Sequence, residues 1–450
     1  MIYGIDLGTT NSLISLHGQF ISEIVPSVVD IKDRRAGKEL VGRTDVFRSF
    51  KIDISMGNEG LVPVRCSKEV LLELKRQADD IIIKHNAEGG EQWDRVHDVV
   101  ISVPAYFSDN QRQATIKAAN SAGLNVVRLI NEPTAAALLV GEHKEGLYVV
   151  FDLGGGTFDV SIIDTRNGFS DVIAKDGCIL GGDNLDYLIR DNIKLVCGMK
   201  EHKLNKNIDE KLRLLARKVK ETVQAKGVCE VDMSDLGYNV VYRMEEDTYK
   251  ALMKRAFLPC IEKIKTLIDA TVVDDDYNVI LVGGSTHCPY LKEWLESVLN
   301  KETTPYPYSP DEIVALGAAY YADLIAKGTV DERVFDITDR LSIILADGTV
   351  QEIVPANSKV PLREQTTLFN SDVTECLRIA LCQGDSSFAE QNEHIGELFY
   401  HYGQEMPAGE GFVLVTLDID ASGVLKLTCQ DMNGSEQTVV IDRSKASVNK

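Results

Sequence analysis

Two short segments constrain this chain more than anything else in it. Asp6-Leu7-Gly8-Thr9-Thr10-Asn11 and Asp152-Leu153-Gly154-Gly155-Gly156-Thr157-Phe158-Asp159 each follow an apolar, strand-like run, and a second such run follows each. Glycine lets a backbone approach a ligand closely and adopt positive φ. Successive turn amides can then point at one spot and make an anion nest, to which Thr9, Thr10 and Thr157 add hydroxyls. Three consecutive glycines between two buried strands weaken a sheet unless something must come close to the backbone. Asp6, Asp152 and Asp159 are carboxylates suited to Mg²⁺ or a bound water. Either segment alone also reads as an ordinary hairpin turn. Neither is a Walker A loop, since no Gly-Lys-Ser/Thr follows, and neither is a dinucleotide fingerprint, since a strand and not a helix comes next. The repeated Asp-Leu-Gly suggests two similar lobes, each carrying one hairpin.

The rest of the first 328 residues alternates strand and helix patterns, which argues α/β. Val99–Val103 reads as a buried strand ending at Pro104. Ser108 with Gln111 forms a capping-box pattern for a helix closing at Gly123. Val126–Ile130 is a strand, and Pro133 suits the first turn of a helix over Thr134–Gly141. Leu147–Leu153 and Asp159–Ile163 are strands. Ile208–Lys226, Glu246–Ala270 and Pro289–Asn300 are helical, and Tyr277–Val282 is a strand ending in Gly283-Gly284. Beyond 336 the period changes to two, as in Cys376–Leu381 and in Phe412–Asp420 with Gly423–Gln430, which predicts antiparallel hairpins. The organisation expected is 1–328, a linker over 329–336, a β domain over 337–443, and a tail over 444–450.

Composition excludes several classes. With 48 Lys+Arg against 69 Asp+Glu, the 450-residue chain carries a formal charge of −21, a surface that repels nucleic acid and anionic lipid. No apolar run approaches the ~20 residues that span a bilayer. The start has no basic or apolar leader and does not read as a signal peptide. Nine scattered cysteines include no C-x-x-C, which fits reduced thiols in a cytoplasmic setting, and the eight histidines suggest no zinc cluster.

Other residues carry weaker signals. Gly283-Gly284-Ser285 with His287, at a strand end before a helix, suits a nucleoside or phosphate contact, and equally a tight turn. Phosphoryl transfer needs charge neutralisation and an oriented nucleophile. Lys51 is a candidate cation, or a solvated surface lysine. Glu132 is a candidate carboxylate, or a helix-start acid complementing the dipole.

Taken together, Gly4–Ser12, Val103-Pro104-Ala105-Tyr106-Phe107, Gln111–Thr115, Asn131-Glu132-Pro133-Thr134-Ala135-Ala136-Ala137, Phe151–Asp159, Leu180-Gly181-Gly182-Asp183, Val282–Thr286 and Pro310-Asp311-Glu312 resemble the seventy-kilodalton heat-shock chaperone family (DnaK-like), in family order. The resemblance implies a two-lobed, actin-like α/β ATPase domain followed by an antiparallel β-sandwich that grips extended peptides. It implies ATP/ADP with Mg²⁺, and K⁺, as cofactors, and unfolded peptide segments, a J-domain cochaperone and a nucleotide exchange factor as partners. By the same resemblance, Lys51, Glu132, Asp152 and Thr157 are catalytic. Gly8, Thr9, Thr10, Asn11, Gly154, Gly155, Gly156, Gly181, Gly182, Lys220, Gly283, Gly284, Ser285, His287 and Asp311 hold the nucleotide. Asp6, Asp152 and Asp159 serve the metal, and Pro104 and Arg112 relay the nucleotide state to the β domain. Ile343, Ala346, Leu377 and Ile379 are expected to line a peptide pocket, although alternation alone makes the same residues plain core.

The chain also departs from the family. The stretch between Lys51 and Pro104 is short, so a trimmed peripheral subdomain is expected. His287 stands where an adenine-stacking arginine is usual. Of Arg217, Lys220, Glu221 and Gln224 on the adenine-clasping helix, only Lys220 keeps the usual type, so altered adenine binding is expected. The linker Arg333–Ile337 lacks the usual leucines, and the family's helical lid is not represented after Arg443, which predicts fast peptide release. The altered adenine residues and the linker favour an alternative reading, a nucleotide-sensing scaffold with little hydrolysis. A small-molecule kinase of the same fold is a further alternative, disfavoured because the β domain has no role there.

Overall fold

The computed structural model describes residues 1–55, 61–89, 91–105, 107, 109–166, 170–199, 206–272, 276–329 and 334–440. Its first sheet centres on Ile2–Leu7, antiparallel to Asn11–Leu16 on one side and parallel to Asp98–Val103 on the other, with Asn125–Asn131 parallel beyond. The second sheet repeats that arrangement. Leu147–Leu153 is antiparallel to Phe158–Asp164 and parallel to Asn278–Val282, and Ser170–Cys178 extends the sheet. Every residue of Leu147–Leu153 is buried, as expected for a strand covered on both faces. The Asp-Leu-Gly echo is therefore a repeat in three dimensions.

Two helices fill the space between the sheets. Glu132–His143 and Ile313–Ala326 each bury ten residues, too many for a one-sided stripe, which marks them as interior helices. They share a core with strands of both sheets, including Val100, Val150 and Ile280. Gly317 permits their crossing, because a methyl there would overlap the Ala135 carbonyl. Pro133 sits in the first turn of its helix as expected. Most boundaries fall within two residues of the sequence expectation: Asp109–Ser121 ends before Gly123 at φ 73°, and Lys206–Lys226, Glu246–Thr271 and Pro289–Leu299 are the other expected helices. Ser108 lies outside the described residues.

The C-terminal part forms two four-stranded antiparallel sheets. One contains Leu341–Ile344, Val350–Val354, Thr374–Gln383 and Glu393–Met406, and the other contains Leu362–Phe369, Phe412–Ile419, Leu425–Gln430 and Glu436–Val440. Their facing residues, among them Leu381, Ile395, Val415 and Leu427, make one core.

Two expectations need correction. The segment 329–336 is not simply a connector: Val334–Thr338 is a strand, parallel to Ser170–Cys178 and antiparallel to Ser358–Val360. The unpaired edge of the second sheet offers backbone partners that a five-residue sequence window cannot reveal. A domain boundary at 336/337 would cut this strand, and residues 330–333 and 441–450 lie outside the described residues. The second correction concerns the expected peptide pocket. Ile343 and Ile379 are 1% and 0% exposed in the core between the sheets, and Leu377 packs against that core. Ala346 is exposed just before Asp347-Gly348. Period-2 alternation identifies an inward face without saying whether anything besides the facing sheet lies against it.

Candidate functional site

The two glycine turns face each other across a cleft of about 620 Å³ between the sheets. Their glycines serve close approach: none of Gly8, Gly154, Gly155 or Gly156 has positive φ, contrary to one reason expected for them. A side chain at Gly8 would overlap the Asn11 carbonyl, and one at Gly155 would overlap the Thr10 hydroxyl. Carbonyl oxygens of both turns are held by donors around them. Ser27 gives its N–H to Thr10 O and its hydroxyl to Gly8 O, each at 2.7 Å. Gly154 O accepts from Gly182 N–H at 3.0 Å and Ser285 Oγ at 2.7 Å, and Gly155 O accepts from Asp183 N–H at 2.7 Å. With these acceptors engaged, an anion entering the cleft meets turn amides and threonine hydroxyls.

Lys51 is not a solvated surface lysine. It is 5% exposed, and its Nζ donates to Leu7 O and to Glu132 Oε1, each at 2.6 Å. Burial opposes the Lys51 charge, but the Glu132, Asp6 and Asp159 carboxylates outweigh it and raise its pKa. The same carboxylates crowd one another. Asp6, which accepts from Ser102 Oγ at 2.7 Å, is pushed up to about 6 by burial and then by Glu132. Asp152 is also raised well above the usual carboxylate range, by burial and by Glu132, Asp159 and Asp6. Four carboxylates around one ammonium leave a negative excess made only of hard oxygen donors, which fits Mg²⁺. No set of three His, Cys, Asp or Glu able to hold a metal directly occurs among the described residues. Such an ion would therefore complete its shell with phosphate oxygens and water.

Most of the expected residues line this cleft, namely Asp6, Gly8 to Asn11, Lys51, Glu132, Asp152, Gly154, Gly155, Thr157, Gly182, Lys220, Gly283 to Ser285, His287 and Asp311. Gly156 and Gly181 stand behind it: Gly156 packs on Ile52 and Thr9, and a methyl at Gly181 would lie 2.5 Å from the Gly155 carbonyl carbon. Asp159, 1% exposed, accepts from Ala105 N–H at 2.8 Å, next to Pro104.

The far end of the cleft is built differently from the end that carries the two glycine turns. Lys220 Nζ lies 2.7 Å from Asp186 Oδ1, and Arg217 reaches Asp183 and Asp186 at 3.4 and 3.5 Å. Gln224 Nε2 donates to Tyr249 OH at 2.6 Å. His287 Nε2 is 3.0 Å from Asp311 Oδ1. Burial would raise Asp311, but hydrogen bonds from Ser309 and His287 outweigh it and lower its pKa.

The structure adds residues that the sequence did not single out. Arg48 pairs with Glu210 at 3.2 Å, and Ser49 Oγ donates to Asp183, so both contacts bridge the cleft beside Lys51. Asp183 belongs to a recognised motif, whereas Arg48, Ser49 and Glu210 carry no local signal. Arg112, buried at 5% exposure, donates to Phe107 O at 3.1 Å, Asn131 Oδ1 at 2.7 Å and Ser422 O at 3.1 Å. Ser422 lies in the turn of a β-domain hairpin, and its Oγ accepts from Leu129 N–H at 3.1 Å. Asn131 also donates to Asp336, and Lys175 Nζ donates to Ile337 O at 2.6 Å. Asn131 immediately precedes Glu132, so a covalent step and two polar contacts connect the Lys51 pair to the β domain.

Facing glycine turns, a buried lysine–glutamate pair and crowded carboxylates in one cleft mark a phosphate-binding α/β protein joined to a β domain. The chain belongs to the Hsp70 family: the family described as Hsp70 protein matches residues 41–450. It is 32% identical to the chaperone protein HscA homolog of Haemophilus influenzae (strain PittEE) over 489 aligned residues, covering 97% of this chain and 76% of the relative. It is 33% identical to the chaperone protein HscA homolog of Burkholderia thailandensis over 503 residues, covering 98% of this chain and 78% of the relative. The corresponding protein of Actinobacillus pleuropneumoniae serotype 5b (strain L20) is 32% identical over 491 residues, with 97% and 77% covered.

Proposed function

We propose that this chain is an ATP-dependent molecular chaperone, with ATP bound and hydrolysed between two actin-like lobes and extended peptide held by the β-sandwich. The observation that carries the reading is the cleft in which both glycine turns converge on the buried Lys51–Glu132 pair. Turn amides and the hydroxyls of Thr9, Thr10 and Thr157 would hold the phosphates. The Lys51 ammonium would neutralise charge on the transferred phosphoryl group, and Glu132, Asp152 and Thr157 would orient the attacking water. Asp6, Asp152 and Asp159 would hold Mg²⁺, which supplies charge neutralisation at the phosphate oxygens when bound. Gly283, Gly284, Ser285, His287, Lys220 and Asp311 would receive the nucleoside.

Arg112 would carry the nucleotide state to the β domain, with Pro104 beside it, because its three hydrogen bonds join Asn131 to the Ser422 turn. Coupling of this kind needs two sites whose ligands bias one conformational equilibrium. The reading extends to unfolded peptide segments, a J-domain cochaperone and a nucleotide exchange factor as partners, and to a cytoplasmic setting. No helix among the described residues is long and apolar enough to cross a membrane.

The test measures ATP turnover, and peptide affinity with ATP and with ADP, in wild type, Thr157→Ala and Arg112→Ala. Thr157→Ala should lose turnover. Arg112→Ala should keep ATP binding within about threefold while peptide affinity ceases to depend on the nucleotide. Wild-type peptide affinity that ignores the nucleotide would sink the chaperone cycle, and phosphorylation of an added sugar would make the chain a kinase.

A further inference from the structure

The phosphate chemistry makes no use of a pair of cysteines that lies close beneath it. Cys178 is the last residue of the strand Ser170–Cys178, and Cys260 lies in the helix Glu246–Thr271. The two elements run side by side, since Lys263 Nζ donates to both Asp176 oxygens at 2.8 Å. Asp176 and Cys178 are two apart on a strand, and Cys260 and Lys263 are three apart on a helix, so each pair shares a face. The same registration that joins the charges brings the two thiols side by side, with Cys260 inside one apolar cluster and Cys178 packed against it. Cys260 is fully buried, while Cys178 is partly open to solvent.

The position of Cys178 gives the pair significance. It is the register partner of Phe158, the residue after Thr157. A few residues further on, the backbone amides of Gly182 and Asp183 brace Gly154 and Gly155.

We propose that Cys178 and Cys260 form a reversible disulfide in response to a peroxide-class oxidant, with Cys178 as the attacked thiol and Cys260 as the resolving thiol. Cys178 gives up its proton, its thiolate attacks one peroxide oxygen and the O–O bond breaks. The sulfur becomes a sulfenic acid, and the other oxygen takes up that proton and leaves, as water from hydrogen peroxide or as an alcohol from an organic peroxide. The Cys260 sulfur then attacks the Cys178 sulfur, an S–S bond forms as the S–O bond breaks, and the sulfenic hydroxyl takes the Cys260 thiol proton and leaves as water. Two thiols lose two electrons and the peroxide gains them. The division of roles follows exposure, because an oxidant reaches Cys178 first. Electrostatics agrees with it. The neighbouring Cys260 thiol lowers the Cys178 pKa, with Lys263 adding to the effect, whereas the same contact together with burial raises Cys260. The linkage would tie the helix to the strand end that supports the second glycine turn. Its formation rests on the thiol geometry and not on the proposed ATPase reading.

The test oxidises the reduced full-length chain with a few equivalents of hydrogen peroxide, blocks remaining thiols, and maps peptides by mass spectrometry without reductant. Free thiols should fall from nine to seven, with a peptide joining Cys178 to Cys260 lighter by two hydrogens, and dithiothreitol should restore all nine. In Cys260→Ala, dimedone should trap a sulfenic acid at Cys178, and Cys178→Ser should give neither product. The wild-type measurement stands even if a variant folds poorly. Retention of both thiols while other cysteines oxidise, or a dimedone adduct at wild-type Cys178 without the linked peptide, would overturn the proposal.

Discussion

Replacing Lys51 with methionine removes the ammonium in contact with Glu132 and leaves a carboxylate that is 10% exposed beside Asp6 and Asp152. The pair is 2.6 Å apart, and the lysine side chain itself is 6% exposed. Removing one partner of a buried pair costs about 3–5 kcal/mol, mostly because the remaining charge is left without compensation. Methionine keeps most of the volume, so packing loss adds little. Lys51→Met/Glu132→Gln removes the stranded charge and should recover about 2–4 kcal/mol of that loss. With an m-value of about 3 kcal/mol/M, the single variant should shift the first urea transition down by about 1 M or more, and the double variant should return most of the way. ATP turnover should not follow stability: both variants should remain at least about 100-fold impaired, because the cation is missing from the phosphate site in each. Equal stability of the single and double variants would refute the stranded-charge argument. Turnover restored in the double variant would refute a direct role for Lys51.

Other expectations follow from the same geometry. Arg48→Ala breaks the contact with Glu210 across the cleft, and nucleotide should dissociate about three- to tenfold faster in a stopped-flow chase. Asp6, held near 6, binds its proton more tightly folded than unfolded, so its contribution to stability grows as pH falls through 6 and is lost as pH rises. Mg²⁺–ATP needs the charged form, so calorimetric affinity should drop roughly threefold or more between pH 7.5 and 5.5; Asp6→Asn should weaken that dependence, with Asp152, whose pKa is also raised, carrying the remainder. Gly317→Ala places a methyl on the Ala135 carbonyl at the helix crossing, and should cost about 1–3 kcal/mol in thermal or urea unfolding. An unchanged transition would mean that the two helices separate freely.

Sequence reading succeeded where one residue's neighbours in the chain decide its environment. Leu147–Phe151 is a continuous apolar run, followed by Asp-Leu and three glycines, and Pro133 marks a helix start, so both are legible locally. The site loops were legible for a related reason, since each carries its glycines, threonines and carboxylate within a few residues. The misreadings are tertiary. Val334–Thr338 becomes a strand because Ser170–Cys178 has a free edge more than 150 residues earlier in the chain. Ile343 and Ile379 alternate as any half-buried strand does, and only the opposite sheet shows that their space is filled. Arg48 finds Glu210, and Ser27 finds Gly8, through folding alone. The cleft's far end was legible only as a set of departures. In the structure Arg217 and Gln224 are engaged with Asp183, Asp186 and Tyr249.

The placement of Glu132 gives the departures at the far end less consequence for coupling than for affinity. Lys51 meets Glu132 on one side and the phosphate end of the cleft on the other, so a bound phosphate competes with Glu132 for the same ammonium. Asn131 is the residue before Glu132, and its side chain accepts from Arg112 and donates to Asp336. A phosphate that draws Lys51 away would therefore disturb the start of the helix at the point where the β domain and the Val334–Thr338 strand are held. Nothing in that route passes through Arg217, Glu221, Gln224 or His287. Substitutions at those four residues should change how tightly nucleotide binds and leave intact the difference that bound ATP makes to the β domain, whereas Asn131→Ala should do the reverse. Measuring nucleotide affinity and the ATP-to-ADP ratio of peptide affinity on the same variants separates the two, and a Gln224 variant that abolished the ratio would break the argument.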